Sequence, residues 1–118
     1  MSPLCLIDPL PGVHARIVAV VRAVCLDRVM EALLALRASH VSIEQVRGYG
    51  RQKEHLEFYE EVGAWSGRFL PKVRLEFTVP AAEMGAAVEA LRAAALTGRT
   101  GDGKIFVHAV RVAGEVAP

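Results

Sequence analysis

The sequence predicts an α+β domain, a four-stranded sheet with two helices in the order β-α-β-β-α-β. Three observations carry that prediction. Two stretches, 26–36 and 82–95, repeat their apolar residues at helical period. Runs rich in β-branched residues stand before, between and after them. The chain has 118 residues, enough for one core and too few for two.

Ile17-Val18-Ala19-Val20-Val21 is a continuous apolar run bounded by charges, the pattern of a strand buried on both faces. From Leu26 the period becomes helical: Val29, Leu33 and Leu36 share a stripe flanked by Met30 and Leu34, with Asp27, Arg28, Glu31 and Arg37 placed for solvent. Val41 to Val46 alternates in part and ends at Gly48-Tyr49-Gly50, a strand with a glycine-flanked exit. Lys72 to Val79 alternates charged and apolar side chains over its first six residues, so one face is expected in solvent and the other against helices, and Pro80 ends it. In Ala82 to Ala95 the residues Met84, Ala87, Val88, Leu91 and Ala95 form one stripe, a second amphipathic helix. After the turn-rich segment 97–103, Lys104 to Val112 reads as the last strand. Residues 1–14 contain Pro3, Pro9, Pro11 and Gly12 without a period and read as a flexible or extended arm, leaving 15–118 as the folded domain.

With right-handed crossovers this order is the split-βαβ, ferredoxin-like sandwich. Helices cover only one face of such a sheet, so apolar side chains on the other need a partner. A hydrophobic content of 53% in so small a domain points the same way, to an oligomer.

Fourteen Lys plus Arg against thirteen Asp plus Glu give a charge of +1, too weak a field for a nucleic-acid binder or a polybasic membrane anchor. Cys5 and Cys25 read as free thiols of a reducing compartment. The apolar run Ile17 to Val21 falls far short of the roughly 20 residues that cross a bilayer. The first fourteen residues carry no Lys or Arg, and Asp8, Pro9 and Pro11 interrupt their apolar run, so no secretory signal is read and the cytoplasm is the expected location.

Gly50 to Leu70 is a connection of roughly twenty residues between consecutive strands, where a hairpin needs two to five. It carries Arg51, Lys53, His55, Tyr59, Trp65 and Arg68 among Glu54, Glu57, Glu60 and Glu61, a mixture suited to touching a partner or folding over a ligand. Trp65 is read equally as an exposed anchor or as a cover folded back on the domain. Gly98-Arg99-Thr100-Gly101-Asp102-Gly103-Lys104 matches the G-x-x-x-x-G-K part of a phosphate-binding P-loop. Ile105 stands where that motif needs Ser or Thr, and the segment runs from helix to strand, so a P-loop NTPase is rejected. A glycine-rich turn with the Lys104 ammonium beside it remains, compatible with anion binding and with plain turn formation alike. His14, His40, His55 and His108 lack zinc-site spacing, and Ser2, Ser39, Ser42 and Ser66 form no nucleophile elbow.

Three segments together resemble the nitrogen-regulatory PII signal-transduction family: Val46 to Lys53, Phe69 to Val73, and Thr97 to Phe106. The resemblance runs from about Ala15 to Val110. It implies a homotrimer of ferredoxin-like units, binding adenine nucleotides (ATP, ADP or AMP) in the clefts between subunits and reaching target proteins through a long T-loop, here the connection after Gly50. By matching positions, Gly101, Asp102, Gly103 and Lys104 look like the family's B-loop, with Lys104 on the phosphates; Gly48, Tyr49 and Gly50 like the T-loop base; and Arg51 like a phosphate contact. Gln52 matches the contact to magnesium (Mg2+) and 2-oxoglutarate, Lys72 the lysine paired with a 2-oxoglutarate carboxylate, and Ser42 a position facing the adenine.

The departures shape the expectation. The family's modifiable tyrosine has no counterpart in Glu60 to Ser66, so uridylylation of the usual kind is not expected, and Tyr59 matches a different tyrosine. The two arginines near the C-terminus that contact phosphate are reduced to Arg111. Each lost charge-assisted contact costs roughly 1.5 to 3 kcal/mol, which implies weakened ATP binding and effective competition by ADP or AMP. Arg22-Ala23 replaces a lysine-proline pair, the mark of a divergent PII-like branch for which bicarbonate is a candidate second ligand beside 2-oxoglutarate. The expected function is that of a non-enzymatic sensor whose loop docks on or releases a transporter or an enzyme. A small phosphate-ester or acyl-phosphate hydrolase on the same fold is the alternative, and a structural trimer with a degenerate cleft a third.

Overall fold

The computed structural model of the chain describes residues 12–36, 38–48, 70–114 and 116. In chain order these form β1 (Val13–Arg22), α1 (Leu26–Leu34), β2 (Ser39–Gly48), β3 (Leu70–Pro80), α2 (Met84–Ala95) and β4 (Gly103–Arg111), with single 3₁₀ turns leading into each helix. The sheet order is β2-β3-β1-β4 and each neighbouring pair is antiparallel. This is the α+β, ferredoxin-like arrangement expected from the order of elements.

Period decides which side chains are buried. Ala15, Ile17, Ala19 and Val21 on β1 and Val73, Leu75, Phe77 and Val79 on β3 alternate toward the helices, which return Val29 and Leu33 from α1 and Ala87, Leu91 and Ala95 from α2. Cys25, a buried free thiol, packs in the same cluster. β1 lies between β3 and β4, so both its edges are paired, and on the face away from the helices Val18 is only 7% exposed while Arg16 and Val20 are half-buried. The continuous apolar run of β1 thus has one face in the core and the other on the sheet face that carries no helix, where the expected burial is met by Val18 alone.

Four details differ from the sequence reading. β1 begins at Val13, inside the segment read as an arm, because Val13 and His14 pair with Arg111 and Val110 of β4; residues 1–11 of that segment lie outside the described residues. α1 ends at Leu34, and Leu34 itself is 82% exposed, since it follows the buried Leu33 by a single residue and so points about 100° away from the core stripe. β2 carries an irregularity between Ser39 and Ser42 with His40 at φ 51°, which explains its broken alternation. Lys72, expected on the solvated face of β3, is buried at 5% exposure.

The face of the sheet away from the helices is divided. Toward β2 and β3 it is charged: Glu76 accepts from Arg16 at 2.7 Å and from Arg74 at 3.0 Å, and Arg74 lies 3.6 Å from Glu44. Toward β1 and β4 it holds an apolar patch, Val18 opposite Phe106, set between His108 and Lys104, and Phe106 is 48% exposed.

Candidate functional site

β1 and β2 end, and β3 and β4 begin, at the same end of the sheet, because Arg22 pairs with Lys72, Gly48 with Leu70 and Val21 with Gly103. The turn from α2 into β4 folds over that end. It opens where Leu96 leaves the helix in extended geometry, and Gly98 and Gly101 take φ of 83° and 91°, which side-chain-bearing residues rarely adopt. Gly103 is required twice over: its φ is 129°, and a Cβ there would lie 1.9 Å from the Val20 carbonyl oxygen.

Asp102 organises the turn. Its Oδ2 accepts from the backbone N–H of Thr97 at 2.8 Å and of Gly98 at 3.0 Å, and its Oδ1 accepts from the Thr97 hydroxyl and from Arg22 Nε at 3.1 Å. Desolvation works to raise its pKa, but the hydrogen bonds from Thr97, Arg22 and Gly98 outweigh it and hold the carboxyl at about 2. Arg22 Nη2 also donates to the Thr100 carbonyl at 2.7 Å.

Lys72 enters from below. Its stem crosses Gly48, where a Cβ would stand 2.8 Å from Lys72 Cγ, and its ammonium donates to the Gly101 carbonyl. This contact is why the residue is buried rather than solvated. Burial lowers its pKa and the neighbouring Arg22 lowers it further, while Asp102 works in the other direction.

Lys104 is exposed beside a groove of about 330 Å³ walled by Val21, Val88, Leu96, Gly103 and Ile105. Arg22, Lys72 and Lys104 against Asp102 leave this end of the domain with excess positive charge, and the carboxylate is already engaged by its own turn. An exposed ammonium at a glycine-rich turn, next to a largely apolar groove, suits an anionic group joined to an apolar body.

The structure brings together Gly48, Lys72, Gly101, Asp102, Gly103 and Lys104 of the residues expected at the site. It does not bring Ser42 or Arg111 to them within one chain. Ser42 pairs opposite Glu76 on the far edge strand, four residues before Val46, or about 13 Å along β2. Arg111 pairs with Val13 at the other end of β4, about 23 Å along the strand from Lys104. Tyr49, Gly50, Arg51 and Gln52 lie outside the described residues. Among the described residues no group of three His, Cys, Asp or Glu could hold a metal ion. The sequence reading missed the part played by Arg22, which stands 80 residues from Asp102 and carries no local signal. Thr97 was within reach: a Thr and an Asp bracketing two turn glycines is a side-chain-capped turn pattern.

A family model described as "Nitrogen regulatory protein P-II" matches residues 14–116. Among curated proteins carrying that same name, the one from Rhizobium etli is 43% identical over 100 residues, covering 81% of this chain and 88% of its own length. That from Rhodospirillum rubrum is 42% identical over 99 residues, covering 83% and 87%. That from Haemophilus influenzae is 45% identical over 96 residues, covering 80% and 84%.

Proposed function

The chain belongs to the nitrogen regulatory protein P-II family, and on that premise we propose that it is a trimeric sensor that binds ATP, ADP or AMP between subunits. The observation that carries the reading is the pinned glycine-rich turn with Lys104 exposed beside the groove. Backbone and ammonium there receive the phosphates, and the apolar wall of the groove receives the base. The distance from Lys104 to Ser42, on opposite edge strands, supports a site completed by a second copy.

Lys72 is the proposed partner of a small second anion, a 2-oxoglutarate carboxylate or bicarbonate, which replaces the Gly101 carbonyl on its ammonium. Arg51 and Gln52 belong to the same reading, Gln52 through Mg2+ when ATP is bound. Nucleotide and anion then bias the segment 49–69, which meets a transporter or enzyme in the cytoplasm; the two ligands act by differential affinity for its states. No described helix is long and apolar enough to cross a membrane.

Titration calorimetry with ATP, ADP and AMP tests the reading. Binding of at least one, weakened tenfold or more by Lys104→Ala, is expected, because a charge-assisted phosphate contact is lost. Absence of binding by the wild type, or binding indifferent to Lys104→Ala, overturns it. Hydrolysis at about 1 per second or faster would make the protein an enzyme instead.

A further inference from the structure

The geometry points to Arg22 as a positioning residue that holds the turn 97–103 in the form that presents Lys104 to an anionic ligand. The inference rests on the proposed function for the ligand and on the structure for the clamp. The planar guanidinium meets the turn at two places, the Asp102 carboxylate through Nε and the Thr100 carbonyl through Nη2. Asp102 in turn fixes the start of the turn through the amides of Thr97 and Gly98, and the Thr97 hydroxyl accepts from the amide of Arg99. One side chain at the end of β1 thus reaches, directly or through one carboxylate, residues 97, 98, 100 and 102, and Arg99 one step further through the Thr97 hydroxyl.

The reach depends on guanidinium shape and not on charge alone. A lysine ammonium is a point charge on a flexible stem and does not hold a carboxylate and a carbonyl in one fixed fork. In this chain the turn is therefore held by the guanidinium of Arg22, at a position where the resembling family has lysine. The side chain is 14% exposed and both its contacts are inside the protein, so Arg22 acts on the ligand through the turn.

The test uses the full chain with ADP as the probe. In ligand-free Arg22→Lys, amide hydrogen exchange at Thr97, Gly98 and Arg99 is expected to quicken at least tenfold, while Ile17 and Ala19 in β1 keep their wild-type rates and so report an intact fold. ADP affinity is expected to fall at least fivefold, mainly through slower association, since only part of the population then has a formed turn. Arg22→Gln is expected to match Arg22→Lys in exchange, showing that the charge lysine keeps does not hold the turn without the guanidinium fork. Wild-type exchange in Arg22→Lys overturns the clamp, as does accelerated exchange without loss of ADP affinity. Weaker ADP binding with unchanged exchange would make Arg22 a direct ligand contact and also overturns it. If the wild type binds none of ATP, ADP and AMP, the proposed function falls, and the clamp is decided by exchange alone; if it binds ATP or AMP but not ADP, the affinity comparison is made with the nucleotide that binds.

Discussion

At the scale of single residues, Asp102 couples the turn to pH. Its carboxyl sits at about 2 in the folded protein against an ordinary 3.8. The unfolded chain therefore takes up a proton first as pH falls, so this stabilisation is complete above about pH 4 and is lost as pH drops through about 2. Urea unfolding of the wild type should show stability falling across that window, and Asp102→Asn should be less stable at neutral pH with a flatter profile between the two values. Gly103→Ala is expected to destabilise by at least about 2 kcal/mol, from left-handed strain plus collision with the Val20 carbonyl. Gly98→Ala, at a positive φ of 83° but with open space around it, should cost only about 1 kcal/mol, and the same urea experiment separates the two. The glycines and Lys104 stand out in the sequence because their roles are local. The burial of Lys72 does not, since it depends on a carbonyl 29 residues away. Alternation along β3 assigns that side chain to the open face correctly but cannot say what covers it there.

At the scale of elements, period carried most of the information. The stripe Ala87, Leu91 and Ala95 and the alternation of Val73, Leu75 and Phe77 are properties of short windows, and both reappear as core. Where elements stop depends on contacts between distant segments: β1 gains Val13 and His14 by pairing with β4, and α1 loses Leu36 to a closing turn in which its amide donates to the Leu33 carbonyl at 3.0 Å. Helix packing makes a direct comparison available. Leu91→Ala removes a side chain with no exposure and should cost about 2 to 5 kcal/mol in chemical denaturation, through lost burial and the cavity left behind. Leu96→Ala, at 60% exposure just past the same helix, should stay within about 0.5 kcal/mol.

At the scale of the whole molecule, the sheet has one face on helices and one face without them, and the latter is apolar around Val18 and Phe106. The proposed trimer covers such a face. Sedimentation equilibrium should give three times the chain mass, and Phe106→Glu should shift the population toward single chains if Phe106 is buried by assembly. A wild-type protein that sediments as one chain would remove the intersubunit site. Fold class was legible because it follows from order and period. The candidate site was legible in part, because its turn is contiguous while its struts, Arg22 and Lys72, come from two other strands.

The pairing of Gly48 with Leu70 brings the two ends of the intervening segment to facing positions on neighbouring strands, beside the Lys72 stem. A span anchored at such close posts is interchangeable: doubling a loop's length adds only about 0.6 kcal/mol to the closure cost. Residues 49–69 can therefore change in length while the sandwich beneath keeps its architecture, and a protein engineer can graft a fluorescent reporter peptide there on the same grounds.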